Sequence, residues 1–503
     1  MPKRKPGRTP KSPLKEDEML SLDQAAAALG VSRSTLYRWQ NQGRLRGFKV
    51  GRQWRFRRSD LDKFSLMTHP SAAGVDVSQI DEILAGLKAD TKEAANLIFD
   101  PAPAGYPTTE EEKAVDSLLA TMLAGAAEVN ASDLHVEPER DGTVVRQRVD
   151  GVLHELLRLP RSSHNALIAC VKVHAGLALD QQHLPQDGHF RFALGGLDRD
   201  VRAATLPTLH GESIVMRLLV RSTDLPGLDL LRMHPDDRAR YERALKEPSG
   251  LVICSGPTGS GKTTLLYAGL MRIASPDLKT LTVEDPIECS FPHILHTAIN
   301  KKAGYTFEVA QRALMRQDPD VIMVGEIRTL ESAELCVQAA ITGHLVLTQV
   351  HAVGAARAVT RLFDMGIEPF MLAETLILTL GIRLARRVCP KCAQPDEPSF
   401  SLLSPLSELA RAGGYELPEK PKFLRGAGCP HCQNTGYRGR TGLYETMEID
   451  PTLSRLIATR ADERALQEAA VKGGMTTIAA DGLRKAAEGL TSVAEVWRIV
   501  PKD

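Results

Sequence analysis

The sequence predicts a multidomain α/β protein: a parallel sheet with crossover helices at its centre, an α+β domain before it, and smaller modules at either side. Three observations predict this. From Leu251 onward, short apolar strands alternate with longer helical patterns, as parallel α/β sheets require. Between 109 and 222, strand-like alternation mixes with two helical stretches, the pattern of an α+β domain. The chain has 503 residues, enough for about three domains or a few more at roughly 100–200 residues each. With 43% hydrophobic and 25% charged residues, it is not wholly disordered, collagenous or fibrous. Nothing approaches the ~20 apolar residues of a membrane span; Pro369–Ile382 comes nearest, and Glu374 interrupts it. Lys3, Arg4, Lys5 and Arg8 have no apolar core behind them, so they do not open a signal peptide, and the expected compartment is the cytoplasm.

In chain order, residues 1–18 read as a disordered basic tail, 19–66 as a compact head and 67–108 as a Pro-rich linker around one short helical pattern, Ile80–Leu87. In 109–222, a helix runs from Glu110 to about Ala127. Val144–Val149 and Val152–Leu157 flank Asp150-Gly151, a hairpin signal. A second helix follows over Ser163–Leu177, then strands at Phe190–Leu194 and Val201–Thr205. Residues 223–386 form the α/β domain, 387–446 a cysteine-bearing region rich in Pro and Gly, and 447–503 a helical end. Charge is uneven along this order. The whole chain has 63 Lys+Arg against 62 Asp+Glu, yet residues 1–66 hold 16 against 6. A basic head on an acidic body points to a polyanionic partner for the head.

Leu251–Cys254 is a short apolar strand, followed by Gly256-Pro257-Thr258-Gly259-Ser260-Gly261-Lys262-Thr263-Thr264 and then a helical run. A strand, a G-x4-GKT loop and a helix together make a phosphate-binding P-loop. The glycines let backbone N–H groups surround phosphate oxygens. Lys262 reaches the β- and γ-phosphates, and the Thr263 hydroxyl ligates Mg2+. Two more apolar strands end in acids, Leu281–Val283 at Glu284-Asp285 and Val321–Val324 at Glu326. Carboxylates at such strand ends face the nucleotide crevice, where one serves the Mg2+ shell and another the attacking water. His344 and His351 flank a further apolar strand, so each is a candidate γ-phosphate sensor or inter-subunit contact.

The P-loop, Thr282–Glu288 (TVEDPIE), Arg316–Arg328 (RQDPDVIMVGEIR) and Thr342–Leu347 (TGHLVL) resemble the four signature boxes of the type II secretion and type IV pilus assembly ATPases. Upstream, Ser132–Pro138, Arg148–Leu153, Leu184–Gly188 and Leu206–Leu219 are similar to that family's second N-terminal domain. The resemblance covers about residues 115–503. It implies a RecA-like motor preceded by a PAS-like α+β domain, working as a homohexamer on ATP and Mg2+, peripheral on the cytoplasmic face of the inner membrane, with a polytopic platform protein as partner. It assigns Lys262 and Thr263 to phosphate and Mg2+, Glu284 to water activation and Glu326 to the Walker B position. Arg202 and Arg217 match arginines that reach phosphate, and Arg312 and Arg328 match further basic residues of the site. There are departures. Thr348-Gln349-Val350-His351-Ala352-Val353 replaces the family's STLHTN, His189 replaces an arginine after LPQDG, Gly381-Ile382-Arg383-Leu384 replaces AQRL, and the usual N-terminal docking domain is not recognisable.

Cys389/Cys392 and Cys429/Cys432 form two CxxC knuckles. Four thiolates suit tetrahedral Zn2+ with no open position, hence a structural metal; the secretion ATPases carry a similar element. The other four cysteines, Cys170, Cys254, Cys289 and Cys336, read as ordinary buried thiols. In the head, Asp23 is placed to cap a helix over Gln24–Leu29, Gly30-Val31-Ser32 a turn, Ser34–Gln42 a second helix and Lys49–Phe56 a hairpin wing. This resembles the excisionase/MerR-like winged helix-turn-helix domains. Ser34, Thr35 and Arg38 are then positioned for base edges, and Arg52, Arg55 and Arg57 for phosphates of double-stranded DNA. Two functions follow from these features: an ATP-driven secretion, pilus or DNA-uptake motor, or a DNA-binding regulator that uses the P-loop ring as a switch.

Overall fold

The computed structural model describes residues 19–28, 36, 40, 45, 47–50, 53–58, 60–61, 75–88, 97–100, 106–107, 109–195, 197–219 and 225–500. The chain divides into two compact units, 1–219 and 220–503.

In the head, β1 (Met19–Ser21), β2 (Phe48–Val50) and β3 (Gln53–Arg57) form an antiparallel sheet in the order β1-β3-β2. The β2–β3 hairpin is the expected wing, with Phe48 opposite Arg55 and Lys49 opposite Trp54. Leu20, Ala25, Leu36, Leu45, Phe56 and Leu61 form its core. The first helix starts earlier than its sequence pattern, at Leu22. Ser21 and Gln24 exchange side-chain to backbone hydrogen bonds (2.9 and 3.3 Å), so Ser21 makes the reciprocal cap and Asp23 lies inside the first turn. Ser34, Thr35, Arg38 and Arg52 lie outside the described residues, as does the 1–18 tail.

The α+β domain is a seven-stranded sheet in the order β4-β8-β9-β10-β5-β6-β7. Its strands are β4 (Ile98–Asp100), β5 (Asp133–Pro138), β6 (Thr143–Val149), β7 (Val152–Leu159), β8 (Gln186–Leu194), β9 (Leu197–Thr208) and β10 (Gly211–Leu218). Asp150 (φ 48) and Gly151 (φ 85) make the left-handed two-residue turn that matches strand twist. Thr109 and Glu112 close a capping box that starts the helix Glu110–Glu128. That helix and Arg161–His174 cover one sheet face with Leu118, Leu119, Leu123, Leu167 and Val171. The reading of 67–108 as a linker is corrected here. The segment carries the helix Val77–Lys88, and Val75, Ile80 and Leu84 join the domain core, while β4 pairs with β8 through Phe99 opposite Phe192.

The second unit is built on another seven-stranded sheet, in the order β13-β12-β14-β15-β11-β16-β19. The strands are β11 (Gly250–Ser255), β12 (Thr280–Glu284), β13 (Ile294–Ala298), β14 (Val321–Val324), β15 (Leu345–Val350), β16 (Leu376–Val388) and β19 (Tyr437–Glu448). All pairs are parallel except β16–β19. β11, β12 and β14 are buried along their whole length, as strands covered on both faces must be. Pro369–Ile382, the most apolar run, is here a short helix, Pro369–Thr375, leading into β16. No helix among the described residues is long and apolar enough to cross a membrane.

The boundary drawn at 386 is also corrected, because the last strand of this sheet comes from 437–448, beyond the first cysteine pair. Between β16 and β19 the chain makes an excursion through a two-stranded ribbon, β17 (Ala393–Pro395) with β18 (Leu424–Gly426), and the helix Phe400–Ala412. Leu406, Ala410 and Phe423 of the excursion share a core with Ala480, Leu483, Ala486 and Val496 of the helical end.

Candidate functional site

Parallel sheets bind ligands at the carboxyl edge of their strands, and here that edge carries the P-loop. β11 delivers the chain to Gly256, where no side chain fits: a Cβ would lie 2.4 Å from Ser260 Oγ and 2.6 Å from the Ile382 carbonyl oxygen. Gly261 then takes φ +94 and hands the chain to the helix Lys262–Ile273, a left-handed step that a β-carbon disfavours. No side chain caps this helix, so its first-turn N–H groups open into the loop, an arrangement that attracts phosphate. Ser260 Oγ is buried without a hydrogen-bond partner. Lys262 is buried, and its Nζ donates to the carbonyls of Gly256 (2.8 Å) and Pro257 (2.9 Å). Burial pushes its pKa down to about 8, a cost that a bound polyphosphate offsets. The shape, the orphaned donor and the lysine all fit the phosphates of a nucleotide.

Two strands away, Glu326 follows β14. His351 Nε2 lies 3.1 Å from Glu326 Oε2, and Arg328 pairs with the other oxygen. Burial raises the Glu326 carboxyl, but Arg328 and His351 together hold it below the usual range. β15 lies between β14 and β11. One of its side chains, Gln349, accepts a hydrogen bond from Thr263 Oγ1 through Oε1 at 3.4 Å. Thr263, Glu326 and His351 are therefore brought to one edge, and the hydroxyl–carboxylate pair Thr263/Glu326 is of the hard-oxygen kind that Mg2+ prefers.

Three sequence expectations within this unit fall elsewhere. Glu284 ends β12 but is 3% exposed. Its carboxylate accepts from Thr282 Oγ1 (2.6 Å), from His296 Nδ1 (2.9 Å) and from Tyr267 of the P-loop helix. His296 Nε2 accepts the Phe291 N–H at 3.3 Å, which leaves the ring proton on Nδ1, facing Glu284. Burial and the Glu284 charge both push the Tyr267 phenol far above its usual range, so it stays a donor. Glu284 is thus held as a buried strut between strand and helix. The exposed carboxylates of the same box are Asp285 and Glu288. His344 stands before β15, at the opposite end of the strand from the P-loop, and its Nδ1 bonds the Ala339 carbonyl at 2.9 Å. The strand between is about 20 Å long, so His344 does not reach phosphate in its own chain. Arg312 is exposed on the helix Phe307–Leu314, with no bond to the P-loop, Glu326 or His351 among the described residues. Arg202 and Arg217 belong to the other unit, where they stand opposite each other on β9 and β10. Arg217 Nε donates to Asp133 Oδ1 at 2.9 Å.

The four knuckle cysteines converge as a second site. Sγ atoms of Cys389 and Cys429 are 3.9 Å apart, those of Cys392 and Cys432 3.8 Å, and those of Cys429 and Cys432 3.7 Å. A tetrahedron of thiolates at 2.3 Å from Zn2+ has edges of about 3.8 Å, so the donor set and its spacing fit that ion. Burial opposes ionisation of Cys432, but the N–H groups of Cys429 and Gly436, each 3.2 Å from its sulfur, hold its pKa at about 7.

The profile of the type II/IV secretion system protein family matches residues 108–498. The chain belongs to that family. Its relatives include the type II secretion system protein HxcR of Pseudomonas aeruginosa, 39% identical over 85% of this chain and 89% of that protein. The type II secretion system ATPase E of Vibrio cholerae is 40% identical over 84% and 83%. The type IV pilus assembly ATPase PilB of Thermus thermophilus is 40% identical over 78% of this chain, a match spanning 43% of the relative's length. Among solved structures, the Legionella pneumophila ATPase DotB shares the fold with a TM-score of 0.56 at 22% identity, over 75% of this chain and 94% of that one. For a member of the secretion ATPase family, the head is an addition with its own match: residues 19–64 fit a helix-turn-helix domain profile. In this secretion ATPase, sequence reasoning missed Tyr267, His296 and Gln349. Only Gln349 left a signal, as a departure from the family's box.

Proposed function

We propose that this chain is an ATP-hydrolysing motor of a type II secretion, type IV pilus or related DNA-uptake apparatus, working as a homohexamer against a polytopic platform protein at the cytoplasmic face of the inner membrane. Family membership supports the motor, since the relatives named above are secretion and pilus proteins, two of whose names say ATPase; none of them favours the DNA-binding regulator. The observation that carries the reading is the P-loop, whose buried Lys262 and uncapped helix face the edge that also holds Thr263, Glu326 and His351.

In this proposal the Gly256–Thr264 loop wraps the polyphosphate, and Lys262 moves from its loop carbonyls to phosphate oxygens. Thr263 and Glu326 hold Mg2+, which when bound neutralises charge on the β- and γ-phosphates. His351 and Arg328 keep Glu326 ionised and aimed. Glu288, exposed just past β12, takes the water-orienting role that the sequence assigned to Glu284. Arg202 and Arg217 supply further cations to the developing phosphoryl charge. Zn2+ on Cys389, Cys392, Cys429 and Cys432 is structural. The head, through Arg55 and Arg57 with Ser34, Thr35, Arg38 and Arg52, binds double-stranded DNA.

The test is steady-state ATP hydrolysis by the full chain and by Lys262→Ala, with light scattering of both in Mg2+ and an ATP analogue. The expected result is a hexamer and a loss of activity of about 100-fold or more in the variant. A folded variant as active as the parent refutes the motor, and a monomer at working concentration removes the ring.

A further inference from the structure

A threonine hydroxyl that ligates a cation has lone pairs on the metal side and one proton left to place. If that proton has no acceptor, the hydroxyl rotates, and the metal loses a fixed ligand. In this chain the acceptor is visible. Gln349 Oε1 accepts a hydrogen bond from the Thr263 hydroxyl, the two oxygens 3.4 Å apart. Its position is fixed by the sheet: Gln349 stands in register with Cys254, two residues before Gly256, and its own carbonyl is bonded by the Ile327 N–H at 2.9 Å. The backbone of one residue thus ties the P-loop strand to the segment that follows the Walker B acid. Two residues further, on the same side of the strand path, His351 bonds Glu326 (3.1 Å). Gln349 and His351 therefore brace, one each, the two oxygen ligands expected to hold the cation.

We infer that Gln349 is a positioning residue for Mg2+: it fixes the Thr263 hydroxyl with its proton turned away from the metal. This rests on the nucleotide-site reading above and goes beyond it, since this residue is one of those in which the Thr348–Val353 box departs from the family pattern. The amide is suited to the task in a way a hydroxyl at the same position is not. Its carbonyl oxygen is purely an acceptor and sits on a two-carbon reach, long enough to bridge from β15 to the first turn of the P-loop helix.

The test titrates Mg2+ into the full chain with a fluorescent N-methylanthraniloyl-ATP and reads nucleotide binding, not turnover. Gln349→Leu is expected to raise the half-saturating Mg2+ concentration about tenfold, as loss of an outer-shell partner does, while binding in EDTA stays at the parent value. Gln349→Glu keeps an acceptor in place and should bind Mg2+ at least as well as the parent. Thr263→Ala is the control for the underlying reading and should abolish the Mg2+ response. If Thr263→Ala responds like the parent, the assignment of the Mg2+ site is wrong. If it loses the response but Gln349→Leu matches the parent, or Gln349→Glu falls together with Gln349→Leu, the role of Gln349 is overturned and its contact is packing alone.

Discussion

Glu284 and Glu288 share one box and have opposite surroundings, so the two acids should fail in different ways. Glu284→Gln replaces a carboxylate that accepts three donors, each such bond to a charged group being worth about 1.5–3 kcal/mol. It should lower the melting temperature and disturb the P-loop helix through Tyr267. Glu288→Gln should melt like the parent, bind nucleotide, and lose hydrolysis by about 100-fold or more. Calorimetry beside a turnover assay separates the two; a stable, fully active Glu288→Gln ends that assignment. Asp237 offers a test with a sign. It is 1% exposed, and burial with neighbouring Asp481 raises its pKa to about 6. A carboxyl with a raised folded pKa holds its proton more tightly when folded, so its contribution is greatest below about pH 4 and is lost as pH rises to about 6. Asp237→Asn should remove that slope, gaining up to about 3 kcal/mol over the parent above pH 6 relative to pH 4. Parallel stability–pH curves for the two proteins would contradict it. The glycines and Lys262 were legible in the sequence because their reasons are local. The burial of Glu284 was not, because it depends on Tyr267 and His296, which meet it only through the fold, and the distance of His344 from the P-loop of its own chain was not, because a strand's length separates the two ends.

At the scale of elements, the hairpin at Asp150-Gly151 and the helix opened by Thr109 and Glu112 were readable from turn and cap chemistry. The strand β4 was not: it is three residues long, and its reason is a pairing with β8 almost a hundred residues away. The same holds for Ile80 and Leu84, whose short pattern shows a helix but not the core it joins. The cysteine excursion was readable in composition, though not its return to the sheet. Replacing Cys389, Cys392, Cys429 and Cys432 by Ser should remove one Zn2+ per chain by metal analysis and make the 393–426 segment a preferred site of limited proteolysis. Unchanged zinc content contradicts the site. Protection equal to the parent contradicts the structural role.

Across the whole molecule, charge is divided as function is proposed to be. Residues 1–66 carry the excess of Lys and Arg, and the β2–β3 wing displays Arg57, with Arg58 exposed just beyond it. DNA affinity of the full chain, measured by fluorescence anisotropy, should fall with salt at a log–log slope of about −4 to −5 for roughly four to six phosphate contacts. Arg57→Ala should weaken all duplexes alike. Absence of binding at low salt would make the head a protein-docking module. The chain divides into units 1–219 and 220–503, and the route of the chain through the second unit was not legible in the sequence pattern.

That route has a consequence for synthesis. The strand beside β16 arrives only when the ribosome has passed Glu448, so a nascent chain that ends earlier presents β16, thirteen residues with Leu378, Leu380 and Ile382, as an open edge of the kind that recruits foreign strands. Cys389 follows β16 directly, and its N–H already bonds the Gly436 carbonyl (2.9 Å), next to the start of β19. A metal captured by the knuckles therefore shortens the loop that must close before β19 docks, from roughly fifty residues to a few. That saves about 2 kcal/mol of closure entropy at the moment the edge is most exposed. Chains made without zinc should accordingly be lost to aggregates during expression even where the finished protein tolerates a chelator.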